Sequence, residues 1–186
     1  SPPPAGGEAL SDNCNYRESL GPCTVDRSTL PSIEQQVQRA IDRLRTQVKA
    51  YRGGLLGVIA PTNKVVGEVW EIIQASDLSD ISIFQNTSAA EGYSAFEPSR
   101  RICVCSIHSA KGLEFRALHI IGLENVERHP IARRRNMYYT AITRAKTALS
   151  LYHFRPFVGY LEAAVCGIEP TRPNPTLDDL FKGKAS

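Results

Sequence analysis

The chain has 186 residues, 42% of them hydrophobic, and a formal charge of +3. That length suits one globular domain rather than two large ones, and the apolar share supports a real core. There is no run of about 18 apolar residues, so no membrane span is expected, and the mild positive charge permits a nucleic-acid surface without requiring one.

The opening Ser-Pro-Pro-Pro-Ala-Gly-Gly lacks the charged and apolar segments of a secretory signal. It does not begin with Met, which suggests a piece of a longer chain. The five cysteines, Cys14, Cys23, Cys103, Cys105 and Cys166, form no C-x-x-C pair and their number is odd. A disulfide framework is therefore not expected, and a reducing cytoplasm is. Cys103 and Cys105 lie in an apolar run, where Cys serves as a small core hydrophobe.

Residues 1–31 are rich in Pro, Gly, Ser and Asn and keep no period. They predict a linker or partly ordered segment with room for one short strand. From residue 32 the pattern changes: Ile33, Val37, Ala40, Ile41, Leu44 and Val48 form one stripe of an amphipathic helix, with Ser32 as N-cap and Gly53-Gly54 as its stop. Residues 55–60 are a short apolar run, hence a buried strand. Thr62 or Asn63 caps a second helix to about Gln74, with Val65, Val66, Val69, Trp70 and Ile73 inward. A short strand near 81–84 and a loop over 86–99 follow. Strands are expected at 102–107 and 117–123, then a helix at 131–143, a strand at 148–153 and a last helix at 157–165. Residues 32–166 thus read as one domain, and 167–186 as a Pro-rich tail. Strands apolar on both faces, alternating with amphipathic helices, predict an α/β fold with a parallel sheet covered on both sides. Function in such sheets is expected beyond the carboxyl ends of the strands.

Two segments carry chemistry. In Ser106-Ile107-His108-Ser109-Ala110-Lys111-Gly112-Leu113-Glu114-Phe115 an apolar strand runs into a short polar loop. Hydroxyls, an imidazole and backbone amides suit phosphate oxygens, a Gly permits close approach, and a carboxylate suits a ribose hydroxyl. In Arg133-Arg134-Arg135-Asn136-Met137-Tyr138-Tyr139-Thr140-Ala141-Ile142-Thr143-Arg144-Ala145-Lys146 three arginines open a helix whose dipole disfavours them, and Arg144 closes it. A planar, always-charged guanidinium suits a transferring phosphate. Arg133 and Arg134 read more simply as a solvated basic face.

The first segment resembles motif V of UvrD/Rep-type superfamily 1 DNA helicases, whose pattern runs roughly Thr-x-His-x-x-Lys-Gly-Leu-Glu-Phe. Tyr139–Lys146 resembles motif VI of the same superfamily, in the same order and spacing. Val58-Ile59-Ala60-Pro61-Thr62-Asn63 resembles a weaker strand-to-helix motif. Together the likeness spans roughly residues 32–155. It implies a second RecA-like domain: a parallel sheet with helices on both faces. In that family ATP with Mg2+ binds in a cleft between two such domains, of which the first holds the phosphate loop. The resemblance then implies Arg144 as the catalytic arginine at the γ-phosphate. It places Glu114 at the ribose, Gly112 as a close-approach position and Arg135 as a further motif VI arginine. Ser106, His108, Ser109 and Lys111 fall on the single-stranded DNA side. The implied partners are single-stranded DNA and the N-terminal RecA-like domain of the same parent chain.

The chain also departs from the family pattern. Pro61 replaces the Arg of the junction motif, Asn136 replaces a second motif VI Arg, and Ser106 replaces Thr while keeping the hydroxyl. Asn15-Tyr16-Arg17-Glu18-Ser19 echoes the family's Asn-Tyr-Arg-Ser motif with an inserted Glu, and without the helix that normally follows. No G-x-x-x-x-G-K-[ST] segment occurs, so the chain alone is expected not to hydrolyse ATP. Between Gln74 and Arg101 there is no room for a large accessory subdomain. The four His residues lack metal-ligand spacing, so no metal is expected, and His119 reads as a packed strand residue. Trp70 and Tyr139 read as core, although either type can stack on bases. The competing expectation is a non-catalytic nucleic-acid-binding or scaffold module with a RecA-like fold.

Overall fold

The computed structural model describes residues 23–85, 99–126, 132–156 and 158–166. The Asn15–Ser19 echo and the expected tail lie outside them. The chain runs β1 (Thr24–Thr29), α1 (Ile33–Ala50), β2 (Leu56–Ala60), α2 (Asn63–Gln74), a short 3-10 turn at Ser79–Ile81 and β3 (Ser82–Gln85). It continues with β4 (Ile102–Ser106), β5 (Phe115–Ile120), a second 3-10 turn at Leu123–Asn125, α3 (Ala132–Ile142), β6 (Ala145–His153) and α4 (Gly159–Cys166). Among the described residues six strands form one sheet in the order β1-β6-β5-β2-β4-β3. Every pairing is parallel. This is the RecA-like α/β architecture expected from the sequence.

Both helix starts follow from their caps. The Ser32 side chain accepts from Gln35 N at 3.2 Å, and Thr62 Oγ1 accepts from Val65 N at 3.3 Å. At the other end of α1, Arg101 donates to the carbonyls of Val48, at 2.9 Å, and Tyr51. A cation there satisfies orphan acceptors and suits the helix dipole.

The strands alternate between two cores. Leu56, Val58, Ile102 and Val104 face α1 and α2, where Val37, Ile41, Leu44, Val69 and Ile73 meet them. Ile59, Cys103, Cys105, Phe115 and Leu118 face the opposite side, under α3, α4 and the turn after β4. Cys103 and Cys105 are fully buried free thiols, and hydrogen bonding to Cys103 together with burial raises the Cys105 pKa. Trp70 is partly buried, tilted on Phe84 with ring centroids 5.6 Å apart.

Buried polar groups tie α1 to the sheet. Gln36 is fully buried; its Oε1 accepts from Gly122 N at 2.8 Å, and its Nε2 donates to Leu30 O at 3.3 Å. His119 is fully buried, with Nδ1 3.0 Å from Tyr152 OH and Nε2 2.8 Å from Gln47 Oε1. All three groups are satisfied when Nε2–H donates to Gln47 and Nδ1 accepts from Tyr152. Burial, then the nearby Arg43 charge, pushes the His119 pKa down to about 3. Burial pushes the Tyr152 phenol up to about 12.

Two measurements check this packing. A Cβ on Gly57 would sit 2.6 Å from Phe115 Cδ1 and 2.8 Å from Leu118 Cδ1, so Gly57→Ala should lose about 1–3 kcal/mol in urea denaturation. An unchanged midpoint would contradict this packing. His119 stays neutral in the fold while the unfolded chain protonates near pH 6.5. Stability should therefore be full above that pH and fall as pH drops toward about 3, by up to about 1.4 kcal/mol per unit. Denaturation at pH 6.5, 5.5 and 4.5 should show a shallower fall for His119→Asn; equal slopes would refute the assignment.

Candidate functional site

Because β2 lies between β4 and β5, the chain leaving β4 must cross back over the sheet before it can start β5. Residues 107–114 make that crossing. Ile107, Ala110 and Leu113, three apart, are buried in the core under α3. Ser106 Oγ accepts from Ser109 N at 3.2 Å and lies 3.0 Å from Ser109 Oγ, and Ala110 N donates to Ser106 O at 3.0 Å. Gly112 has φ +89°, a left-handed conformation that glycine adopts without steric cost. His108 and Lys111 are exposed on the outer side of the turn.

Ser106 and Ser109 are 7% and 2% exposed, so their hydroxyls shape the turn rather than facing outward. Of the four residues expected on the DNA side, His108 and Lys111 present themselves to solvent. His108 Nδ1 lies 3.2 Å from Met137 Sδ of α3.

At the far end of the crossing, Phe115 N donates to Arg144 O at 3.0 Å, joining the starts of β5 and β6. Glu114 pairs with Lys146. Both line a cleft of about 440 Å3 together with Tyr51, Gly54 and Arg116, whose guanidinium sits 5.4 Å over the Tyr51 ring. Arg144 lies in the turn between α3 and β6, and its Nε is buried without a hydrogen-bond partner. The carboxyl-edge expectation is corrected here. Arg144 and Glu114 precede their strands and so stand at the amino edge, whereas Ser106 and His108 stand at the carboxyl edge. The two groups are separated by the length of a strand, roughly 17 Å.

Arg135 does not converge with Arg144. It lies more than two helical turns earlier, roughly 13 Å along the axis, with its guanidinium 5.5 Å over the Tyr160 ring of α4. Tyr138, 6% exposed, packs near Tyr160, while Tyr139 is 55% exposed and does not fill the core as expected. α3 has Met137, Tyr138, Ala141 and Ile142 as its inner residues.

One residue escaped the sequence reading. The strand directly ahead of α1 is β1, and it carries Arg27-Ser28. Arg27 Nη1 pairs with Glu162 Oε1 of α4 at 2.5 Å. It registers with Leu151, late in β6 and away from Arg144.

Among the described residues no group of three His, Cys, Asp or Glu could hold a metal, and no helix is long and apolar enough to cross a membrane.

Residues 101–152 match the family model of the UvrD-like helicase C-terminal domain. The match spans β4, the crossing, β5, α3 and nearly all of β6, so the resemblance read from the two motifs holds. The C-terminal domain of a possible DNA helicase from Lactobacillus plantarum WCFS1 is similar in structure, with TM-score 0.54 and 17% identity, covering 84% of this chain and 92% of that one. At that identity the likeness speaks for the fold alone. Domain 2 of the DEAD-box helicase Mss116p, bound to an RNA duplex, gives TM-score 0.46 and 13% identity over 79% of this chain and 69% of that one. No curated protein matches the sequence.

The paired hydroxyls of the crossing are testable. Ser106→Ala leaves Ser109 N–H without its acceptor in a buried turn and should destabilise by about 1–2 kcal/mol. Ser106→Thr, which keeps the oxygen, should recover most of the loss; equal losses in both variants would rule out the hydrogen bond as the cause.

Proposed function

We propose, on the premise of the UvrD-like helicase C-terminal match, that this chain is the second motor domain of an ATP-dependent DNA helicase. Arg144 is its arginine finger, Glu114 its ribose contact, and His108 with Lys111 its contact to single-stranded DNA. The remaining half of the ATP site belongs to an N-terminal RecA-like domain of the parent chain.

The observation that carries this reading is where unsatisfied polar atoms gather. Among the described residues, the buried side-chain nitrogens and oxygens without a partner are Arg116 Nε, Arg144 Nε and Thr147 Oγ1. All three belong to the amino ends of β5 and β6. Each such group costs about 1–3 kcal/mol when left unpaired, and a fold does not gain by gathering them. A polar ligand seated on that edge would satisfy such groups once the side chains turn out to meet it. A triphosphate held by a facing domain fits the chemistry: the guanidinium is always charged and can stabilise charge spread over phosphoryl oxygens.

Lys146 holds the Glu114 carboxylate at the mouth of the adjoining cleft, where it can accept from a hydroxyl. No phosphate-loop segment occurs in the 186 residues, so the chain by itself lacks the cradle and the lysine that hydrolysis needs. The edge assignment also separates the duties. Nucleotide engages the amino edge and the strand engages the carboxyl edge, with residues 107–114 between them.

The test joins the chain to a phosphate-loop domain, in the parent protein, and measures DNA-stimulated ATP hydrolysis. Arg144→Ala should lower kcat by about a thousandfold or more while leaving thermal stability equal or higher, because an unsatisfied buried nitrogen is removed. Arg144→Lys should not restore the rate. Hydrolysis by the isolated chain, or undiminished hydrolysis in the Ala variant, would defeat the reading.

A further inference from the structure

We infer that the groove between the 107–112 turn and α3 receives one base of a bound single strand. The inference rests on the nucleic-acid reading above and goes beyond it by naming a base subsite. The groove is about 260 Å3, below the roughly 300 Å3 at which drug-sized sites begin, which suits a single planar ring system.

Its lining has four parts. Ile107, Ala110 and Ala141 are buried and apolar and form the floor. The His108 ring and the Met137 thioether, in contact at 3.2 Å, form a wall of flat, polarizable surface. Exposed Asn136 brings to the rim an amide that can both donate to and accept from a base edge. Lys111 stands on the turn bank and Arg133 on the helix bank, both exposed, and among the described residues no carboxylate lines the groove. A ring with phosphates on either side of it matches that order of apolar floor, flat wall and cationic banks. Asn136, where the family pattern has an arginine, thereby gains a role at the base edge. The groove also gives Arg133 a position beyond a solvated face.

Binding of the full chain to a fluorescent oligothymidylate is compared with binding to the same-length strand made of abasic units. The intact strand should bind about fivefold or more tightly. Thr140→Trp, which fills the groove from a half-exposed helix position, should bring the intact strand down to the abasic level. Met137→Ala opens the wall instead and should narrow the gap as well, so a misfolded Trp variant does not leave the matter undecided. Arg133→Ala should weaken both strands alike and reduce the salt slope by about one. Equal binding of intact and abasic strands by the unmodified chain overturns the base subsite alone. So does a gap that survives both groove variants, as does displacement of the strand by an acidic peptide without any base effect. Failure to bind either strand overturns the nucleic-acid reading and the subsite with it.

Discussion

The fold turns on one forced crossing. β4 and β5 are both parallel neighbours of β2, so the chain between them must travel back along the sheet and over one strand. Parallel connections usually take a dozen or more residues and a helix. Here residues 107–114 do it with a single tight turn, and that shortness dictates the rest. Small and apolar residues must seat the turn in the core, which explains Ile107, Ala110 and Leu113. A hydroxyl pair must satisfy its buried backbone, which explains Ser106 and Ser109. A left-handed residue must redirect the chain, which explains Gly112. What remains for function is the outer side, with His108 and Lys111, and the far end, with Glu114.

The same economy appears in α1. It is fastened by polar groups at both ends: Gln36 to Gly122 and Leu30 near its start, and Gln47 to His119 near its finish, where Arg101 also caps it. Hydrogen bonds fix direction where apolar contacts do not. The helix therefore cannot slide along the sheet without breaking several buried pairs. Tyr51, next after α1, is held in place with it, and so is the wall of the cleft beside Glu114.

Much of this was legible in the residues and some was not. Ser32 and Thr62 announced their helices because capping is local chemistry, and β2 and β4 announced themselves because both faces are buried. β1 is expected only as one short strand somewhere in residues 1–31, because an edge strand needs no apolar pattern and Thr-Val-Asp-Arg-Ser-Thr does not mark its own bounds. β5 begins at Phe115 rather than at residue 117 because its first residues pass through a register shift, with Arg116 turned toward Tyr51. β6 likewise begins at Ala145, where Lys146 and Thr147 mask the strand. The motifs named the site residues, but spacing along a chain does not say which edge of a sheet a residue occupies. That depends on which end of a strand the residue flanks, and Arg144 and Glu114, each just ahead of a parallel strand, stand opposite the edge expected of them. Tyr139 reads as core and stands exposed for a different reason: adjacent aromatics on a weakly striped helix leave the inward one undetermined.

The pairing of β1 with β6 has a consequence for how the chain is made. Thr24 lies opposite Ala148 and Thr29 opposite His153, so the earliest described strand waits for the last. Until β6 emerges from the ribosome, β1 has no partner and one side of β5 is an open edge. Exposed edges of this kind invite pairing with other chains, and contacts this distant in sequence form slowly. A nascent chain halted before residue 145 would carry a nearly complete apolar core and two unsatisfied strand edges. Synthesis of this protein therefore passes through a window in which an open strand edge stands ready to pair with other chains.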